Sequence, residues 1–348
     1  MPTRDIIVIG ASAGGVEALS QIVRGLPPDF PAAIFVVLHL SPHSTSVLPT
    51  ILNRRGPLPA AHPSDGERIE NGRIYVAPPD LHLLVKRGYI RLAHGPKENR
   101  HRPAVDPLFR TAARAYGPRV VGVVLSGSLD DGTAGLLAVK SRDGIAIVQD
   151  PEEALYDGMP RSAIENVKVD FVLSLSKIVP ILVRLSYEQV KENPDSVYYG
   201  LAIESDMAEL DMEAVQNNDR PGQESPYSCP ECRGVLWELN EGNLLRFRCR
   251  TGHAFASESL LAEQSEALEQ ALWVALRALK EQSDLTRRLA KRAEKSSNHR
   301  TALRYKEQAE KVEMQAEVIR KVLLKNPGSH PKSNNSSETD LIDDGRDR

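Results

Sequence analysis

The run Val120-Val121-Gly122-Val123-Val124-Leu125 constrains the fold more than any other stretch, because it is apolar at successive positions rather than alternate ones. A strand with one wet face alternates, whereas a strand covered on both faces does not, and such coverage is typical of parallel sheets layered between helices. Shorter β-branched runs repeat the pattern at residues 6–9, 33–38, 73–76 and 145–148, separated by amphipathic stretches. Strands and helices therefore take turns from residue 5 to about residue 185, which predicts an α/β domain over residues 1–190 built on a mostly parallel, doubly wound sheet.

Past Tyr187 the texture changes. Residues 191–226 are acidic and close with Pro221, Gly222 and Pro226, the signature of a linker with at most one short helix. A compact cysteine-bearing module follows at 227–256, then a region rich in Leu, Ala, Glu, Lys and Arg at 257–325. There Leu261, Leu268, Leu272, Leu276 and Leu279, and later Val312, Ala316, Ile319 and Leu323, recur at helical spacings. They predict a hairpin of amphipathic helices that breaks near Ser296-Ser297-Asn298. The tail at 326–348 has almost no apolar residues and is expected to be disordered.

Composition narrows the function classes. A formal net charge of -3 provides no general attraction to nucleic acid or to an anionic membrane surface. Nowhere do eighteen apolar residues run together, and the first apolar run is too short for a signal peptide, so no membrane insertion and a cytoplasmic location are expected. The three cysteines all fall within residues 229–249, which argues against a disulfide framework and for a reducing compartment.

The first strand runs into Gly10-Ala11-Ser12-Ala13-Gly14-Gly15, and Val16-Glu17-Ala18-Leu19 opens a helical pattern. Ser12 thus sits on a strand-to-helix turn, where glycines allow a sharp fold, the hydroxyl stays exposed, and N–H groups at the helix start can hold an oxyanion. A plain tight turn or a degenerate dinucleotide loop would look alike. The second strand, Phe35-Val36-Val37-Leu38-His39, ends in histidine where a dinucleotide fold wants an acid. His39 is suited to act as general base toward Ser12. An orienting carboxylate is sought after the most apolar strand, where Asp130 and Asp131 compete within Gly127-Ser128-Leu129-Asp130-Asp131-Gly132; either could instead cap the helix beginning near Thr133. The order Ser, His, Asp differs from that of α/β-hydrolases, so another scaffold is indicated.

These segments, together with Leu38-His39-Leu40-Ser41-Pro42, Arg102-Pro103-Ala104-Val105-Asp106-Pro107-Leu108-Phe109 and the stretch from Gln149-Asp150 to Gly158-Met159-Pro160, resemble in sequence order the motifs of CheB methylesterase domains, across residues 5–185. The resemblance implies a three-layer serine esterase that hydrolyses glutamate γ-methyl esters on methylated chemoreceptors or other glutamate-methylated proteins, with glutamine deamidation as a related activity and no cofactor for catalysis. It assigns Ser12 as nucleophile, His39 as base and Asp131 as orienting acid, because Asp131 directly precedes the motif glycine while Asp130 matches a position that is commonly Asn. On the oxyanion and substrate side it points to the N–H of Ser128, to Ala13 and to Arg102. Ala13 stands where Thr is frequent, Ser41 where a second proline is usual, and Ser128-Leu129 where Met-Gly is usual, which alters the pocket without removing a catalytic group. Ser12 lies so near the N-terminus that the family's phosphate-accepting receiver domain is not expected before it. Within the run 91–102, Lys97, Arg100 and His101 read as a solvated charged loop, Arg102 as a surface arginine, and Asp106 as a helix cap.

Downstream, Cys229-Pro230-Glu231-Cys232 and Cys249-Arg250-Thr251-Gly252-His253 offer C-x2-C and C-x3-H. The four ligands Cys229, Cys232, Cys249 and His253 suit tetrahedral zinc with no open position, a structural site on a module resembling a zinc ribbon, with hairpin strands near 235–239 and 244–248. A redox pair lacks its usual context. Arg246, Arg248 and Arg250 flank Phe247 as the solvated face of a strand, and no nucleic-acid partner is expected. The helical region pairs with itself or docks on a signalling scaffold through its leucine stripe. Three readings compete: a methylesterase, a nucleotide-dependent oxidoreductase that His39 disfavours, and a non-catalytic zinc-containing interaction protein.

Overall fold

In a computed structural model of the chain, the structure describes residues 1–43, 45–191, 205, 206, 208 and 222–325. Most of the expected linker at 191–226 and the whole tail at 326–348 lie outside the described residues. The described residues fall into two compact units, divided between Glu263 and Gln264.

In the first unit, β1 (Ile6–Ala11), β2 (Ala33–Leu38), β3 (Ala60–Ala61), β4 (Ile74–Val76), β7 (Val120–Val124), β8 (Ile145–Gln149) and β9 (Phe171–Leu173) form a seven-stranded sheet in the order β3-β4-β2-β1-β7-β8-β9. Every pairing in it is parallel. An antiparallel hairpin, β5 (His82–Lys86) with β6 (Tyr89–Ala93), stands apart from the sheet. Helices α1 (Gly15–Gly25), α2 (Leu48–Arg55) and α6 (Leu175–Ser186) pack with Ile7, Ile9 and Ala11 on one face. Helices α3 (Val105–Tyr116), α4 (Thr133–Ser141) and α5 (Gly158–Asn166) pack with Ile6 and Val8 on the other. Because alternate residues of β1 enter different cores, all of them must be apolar, which accounts for the unbroken runs. The chain leaves β1 for β2 on one side and later returns to β7 on the other, so the carboxyl ends of β2, β1 and β7 lie side by side at a topological switch point.

Also in the first unit, β10 (Gln223–Ser228), β11 (Val235–Glu241), β12 (Leu244–Cys249) and β13 (Ala254–Ala256) form a four-stranded antiparallel sheet. Cys229, Leu236, Phe247, Cys249, Phe255 and Leu260 make its small core. The expectation of a solvated arginine face on β12 is corrected here. Arg246 and Arg248 are only 2% and 5% exposed, and Arg248 Nη2 lies 3.2 Å from the buried carboxylate of Glu98; of the three arginines only Arg250 is exposed.

Helices α7 (Ser257–Lys295) and α8 (His299–Lys325) are separated at residues 296–298, where Ser297 turns with φ 56. In the second unit they form the expected hairpin over a seam of small and branched residues, Leu276, Ala290, Ala302, Ala309, Val312 and Ala316, with Lys306 paired to Glu294 at 2.6 Å. Leu268 does not join that seam and is exposed, because α8 has 27 residues against the 39 of α7 and the first turns of α7 outrun it. Leu261 is exposed as well. No described helix is long and apolar enough to cross a membrane.

Candidate active site

Ser12 follows β1 directly, and its N–H donates to the Ser126 carbonyl at 2.9 Å, tying the first turn to the one after β7. Two glycines make this junction possible. Gly14, the N-cap of α1, has φ 75, a left-handed conformation that disfavours other residues. A Cβ on Gly127 would lie 2.9 Å from Ser12 Cβ and 2.1 Å from Met159 Sδ, so only glycine lets the two turns meet.

His39 is the first residue after β2, and its N–H donates to the Ala11 carbonyl at 3.2 Å. Its Nε2 lies 2.7 Å from Asp131 Oδ2, with both side chains buried. Asp131 is held from several directions. Oδ2 also accepts from the Val105 N–H at 2.7 Å, and Oδ1 accepts from Asn99 Nδ2 at 2.9 Å, Gly132 N at 3.0 Å and Asp106 N at 3.2 Å. The carboxylate thereby caps the positive end of α3. Burial alone would raise its pKa, but the His39 hydrogen bond and charge, with the donors at Val105 and Asn99, prevail and hold it well below the usual carboxylate range. An ionised Asp131 makes His39 Nε2 the donor of this hydrogen bond, while Nδ1 is buried and without a hydrogen-bond partner.

Asp106 is the second acid of this cluster. It accepts from Gly132 N at 3.0 Å and Gly135 N at 2.6 Å, capping α4, and from Asn99 Nδ2 at 2.8 Å. Burial first, and then the adjacent Asp131 charge, push it well above its ordinary value. Asp130 faces away: its carboxylate accepts from Ser259 Oγ, from Ser259 N at 3.2 Å and from Glu258 N at 3.1 Å, so it caps α7. The three acids at residues 106, 130 and 131 thus cap three different helices, and only Asp131 reaches His39.

Ser12, His39, Ala13, His101, Lys97 and Arg102 all line one cavity of about 600 Å³. No hydrogen bond joins Ser12 to His39. Arg102 forms part of the wall while its guanidinium is committed to Asp80, at 2.7 Å from Nη2, and to the Gly95 carbonyl at 2.7 Å. Ser128 is exposed in the turn beyond Gly127.

Three residues packed at the site, Glu98, Asn99 and His101, were not read as part of it in the sequence. The loop expected to be solvated is packed into the site: Glu98 and Asn99 are 1% and 3% exposed, and the His101 ring stacks on His39 with centroids 3.7 Å apart and planes 13° apart. Desolvation, and next the charge of His39, bring His101 down to about 3, so it stacks as a neutral ring. The sequence signal that pointed to them was weak: a lone acid within a basic run, followed by Asn, one of the few residues that tolerates the positive φ it adopts here, 47.

On the module, the Cys229, Cys232 and Cys249 sulfurs and a His253 nitrogen lie within 4.8 Å of one another. Cys232 Sγ to Cys249 Sγ is 3.6 Å, Cys229 Sγ to His253 Nδ1 is 3.8 Å, and Cys249 Sγ to His253 Nδ1 is 3.5 Å. Ligands at zinc–sulfur and zinc–nitrogen bond lengths on a tetrahedron are separated by about 3.5–3.8 Å. The donor set and its spacing therefore fit such an ion.

A serine on a glycine-lined turn beside a buried carboxylate–imidazole pair, all at the carboxyl edge of a doubly wound sheet, defines an α/β domain of hydrolase type. The CheB methylesterase profile matches residues 7–182, about half of the chain, and the chain belongs to the CheB methylesterase family. A relative from Leptospira interrogans is 39% identical over 189 residues, 54% of this chain and 98% of its own length. The Anaeromyxobacter dehalogenans protein-glutamate methylesterase/protein-glutamine glutaminase 2 is 41% identical over 174 residues, 50% of this chain and 51% of its own. The crystal structure of the Thermotoga maritima CheB methylesterase catalytic domain superposes with a TM-score of 0.51 at 38% identity, covering 53% of this chain and 99% of that one.

Proposed function

We propose that the α/β domain is a cytoplasmic protein-glutamate methylesterase acting on methylated chemoreceptors or similar proteins, with glutamine deamidation as its companion reaction. The observation that carries this is the 2.7 Å contact of a fully held Asp131 with His39, which lines the same cavity as Ser12. In this reading Ser12 Oγ attacks the γ-ester carbonyl while His39 takes its proton at Nδ1, and the imidazolium so formed is stabilised by the Asp131 carboxylate through Nε2–H. N–H groups of the turns at Ala13 and Ser128 receive the oxyanion. Collapse breaks the ester C–O bond, the imidazolium returns its proton to the leaving oxygen, and methanol departs. Water then adds to the acyl-enzyme by the same proton path, freeing the glutamate carboxylate and Ser12. With glutamine the leaving group is ammonia.

The same reading places structural zinc on Cys229, Cys232, Cys249 and His253, where it would fasten the two turns of the module. Receptor carrying labelled glutamyl methyl esters should release methanol on incubation with the protein and release none with Ser12→Ala. Absence of release by folded wild-type protein from every methylated receptor of its own genome refutes the substrate assignment.

A further inference from the structure

Each residue of the loop from 97 to 100 is gripped by the cysteine module or the helix that leaves it. Lys97 pairs with Glu231 at 2.8 Å, Glu98 with Arg248 at 3.2 Å, and Arg100 with Glu263. Asn99 is held most closely. Its N–H donates to the Ala254 carbonyl at 2.8 Å and its Oδ1 accepts from the Ala256 N–H at 2.8 Å. That second bond fixes which end of the carboxamide faces which way, so Nδ2 must point at the two acids, reaching Asp106 at 2.8 Å and Asp131 at 2.9 Å. Both N–H donors and the oxygen of the amide are used, and residue 98 and residue 101 bridge around it by backbone hydrogen bonds. Ala254 follows His253 directly, so the strand that orients Asn99 begins immediately after a residue of the Cys/His cluster.

From this arrangement we propose that Asn99 is a positioning residue for the esterase reaction, and that β13 of the cysteine module sets its carboxamide and through it the orientation of Asp131 against His39. The inference rests on the methylesterase reading for its activity readout, though not for its geometry. An Asn99 side chain that merely glued the module to the domain would serve equally well as aspartate, which keeps the acceptor for Ala256. As a positioning donor it would not, because a carboxylate oxygen would then face Asp131 and Asp106.

The test uses the full chain and two readouts: methanol release from methyl-labelled receptor, and the low-field proton resonance of the His39–Asp131 hydrogen bond. Asn99→Ala should lower kcat by about 100-fold, the usual consequence of a misplaced catalytic group, leave KM within about twofold, and move the resonance. Asn99→Asp should be worse than Asn99→Ala. Ala256→Pro, which removes the N–H that orients the amide while leaving Asn99 in place, should reproduce the loss and the shift without touching the domain. Asn99→Asp with wild-type activity overturns the proposal, as does an unmoved resonance in folded Asn99→Ala or Ala256→Pro. If the wild type hydrolyses no ester but the resonance still moves in these variants, the positioning relay stands and the methylesterase reading falls.

Discussion

Asp130 offers the most quantitative test of how the module docks. Its carboxylate is buried at the start of α7, and that burial lifts it from 3.8 to about 6 in spite of the hydrogen bonds from Ser259. The unfolded chain releases the Asp130 proton near 3.8 and the folded protein only near 6, so between those values the native state binds one proton more. Stability from this group is therefore fully present below pH 3.8 and declines as pH rises to about 6. At 1.36 kcal/mol per unit the decline is about 3 kcal/mol. Asp130→Asn keeps the shape and cannot titrate. Its unfolding free energy should gain about 2.4 kcal/mol on that of wild type between pH 4 and pH 7, since the first part of the decline is already past at pH 4. Asp131, held low, works in the opposite sense: its stabilisation is present above the ordinary carboxylate range and is lost only below it, equally in both proteins, so it cancels in the difference. Urea titrations followed through Trp237 and Trp273 emission supply both free energies. A difference that stays constant within about 0.5 kcal/mol across that range, or changes with the opposite sign, refutes the account.

Other outcomes follow from the same contacts. Asp131→Asn must turn an NH2 toward some of the N–H groups of Val105, Asp106 and Gly132, and should cost about 10⁴-fold in kcat with the fold kept, checked by methanol release beside circular dichroism. Glu98→Gln leaves Arg110 and Arg248 buried without their shared counter-ion and should destabilise the first unit by about 3–5 kcal/mol, read as a lowered thermal midpoint. Chelation should strip about one zinc per chain, measured by atomic emission, loosen β13 and lower kcat; a metal-free protein of unchanged activity and unchanged melting would remove zinc from the scheme.

What the sequence disclosed and what it hid divide along one physical line. The placement of Ser12, His39 and Asp131 at one sheet edge was legible because each follows a strand, and strands buried on both faces announce themselves as unbroken apolar runs; once the sheet is parallel and doubly wound, its carboxyl ends must converge. The roles of Asn99, His101, Asp130, Arg246 and Arg248 were hidden because local pattern says which residues share a face and nothing about what covers it. A period-two row of arginines looks the same whether it meets water or a buried carboxylate, and the Glu98 that decides the matter lies 150 residues from Arg248. Asp130 reads as a cap for the helix three residues on, and its side chain instead caps one whose second residue, Glu258, lies 128 residues later. For Asn99 and Arg248 the deciding contact joins the cysteine module to the α/β domain, for Asp130 it joins that domain to the helix leaving the module, and His101 is settled within the domain by its stack on His39. The family likeness ends at residue 182, so a likeness confined to that domain carries no information about such contacts. The part of the site readable in the sequence is thus the part that strand ends dictate, and Asn99 beside it is held by the module that follows.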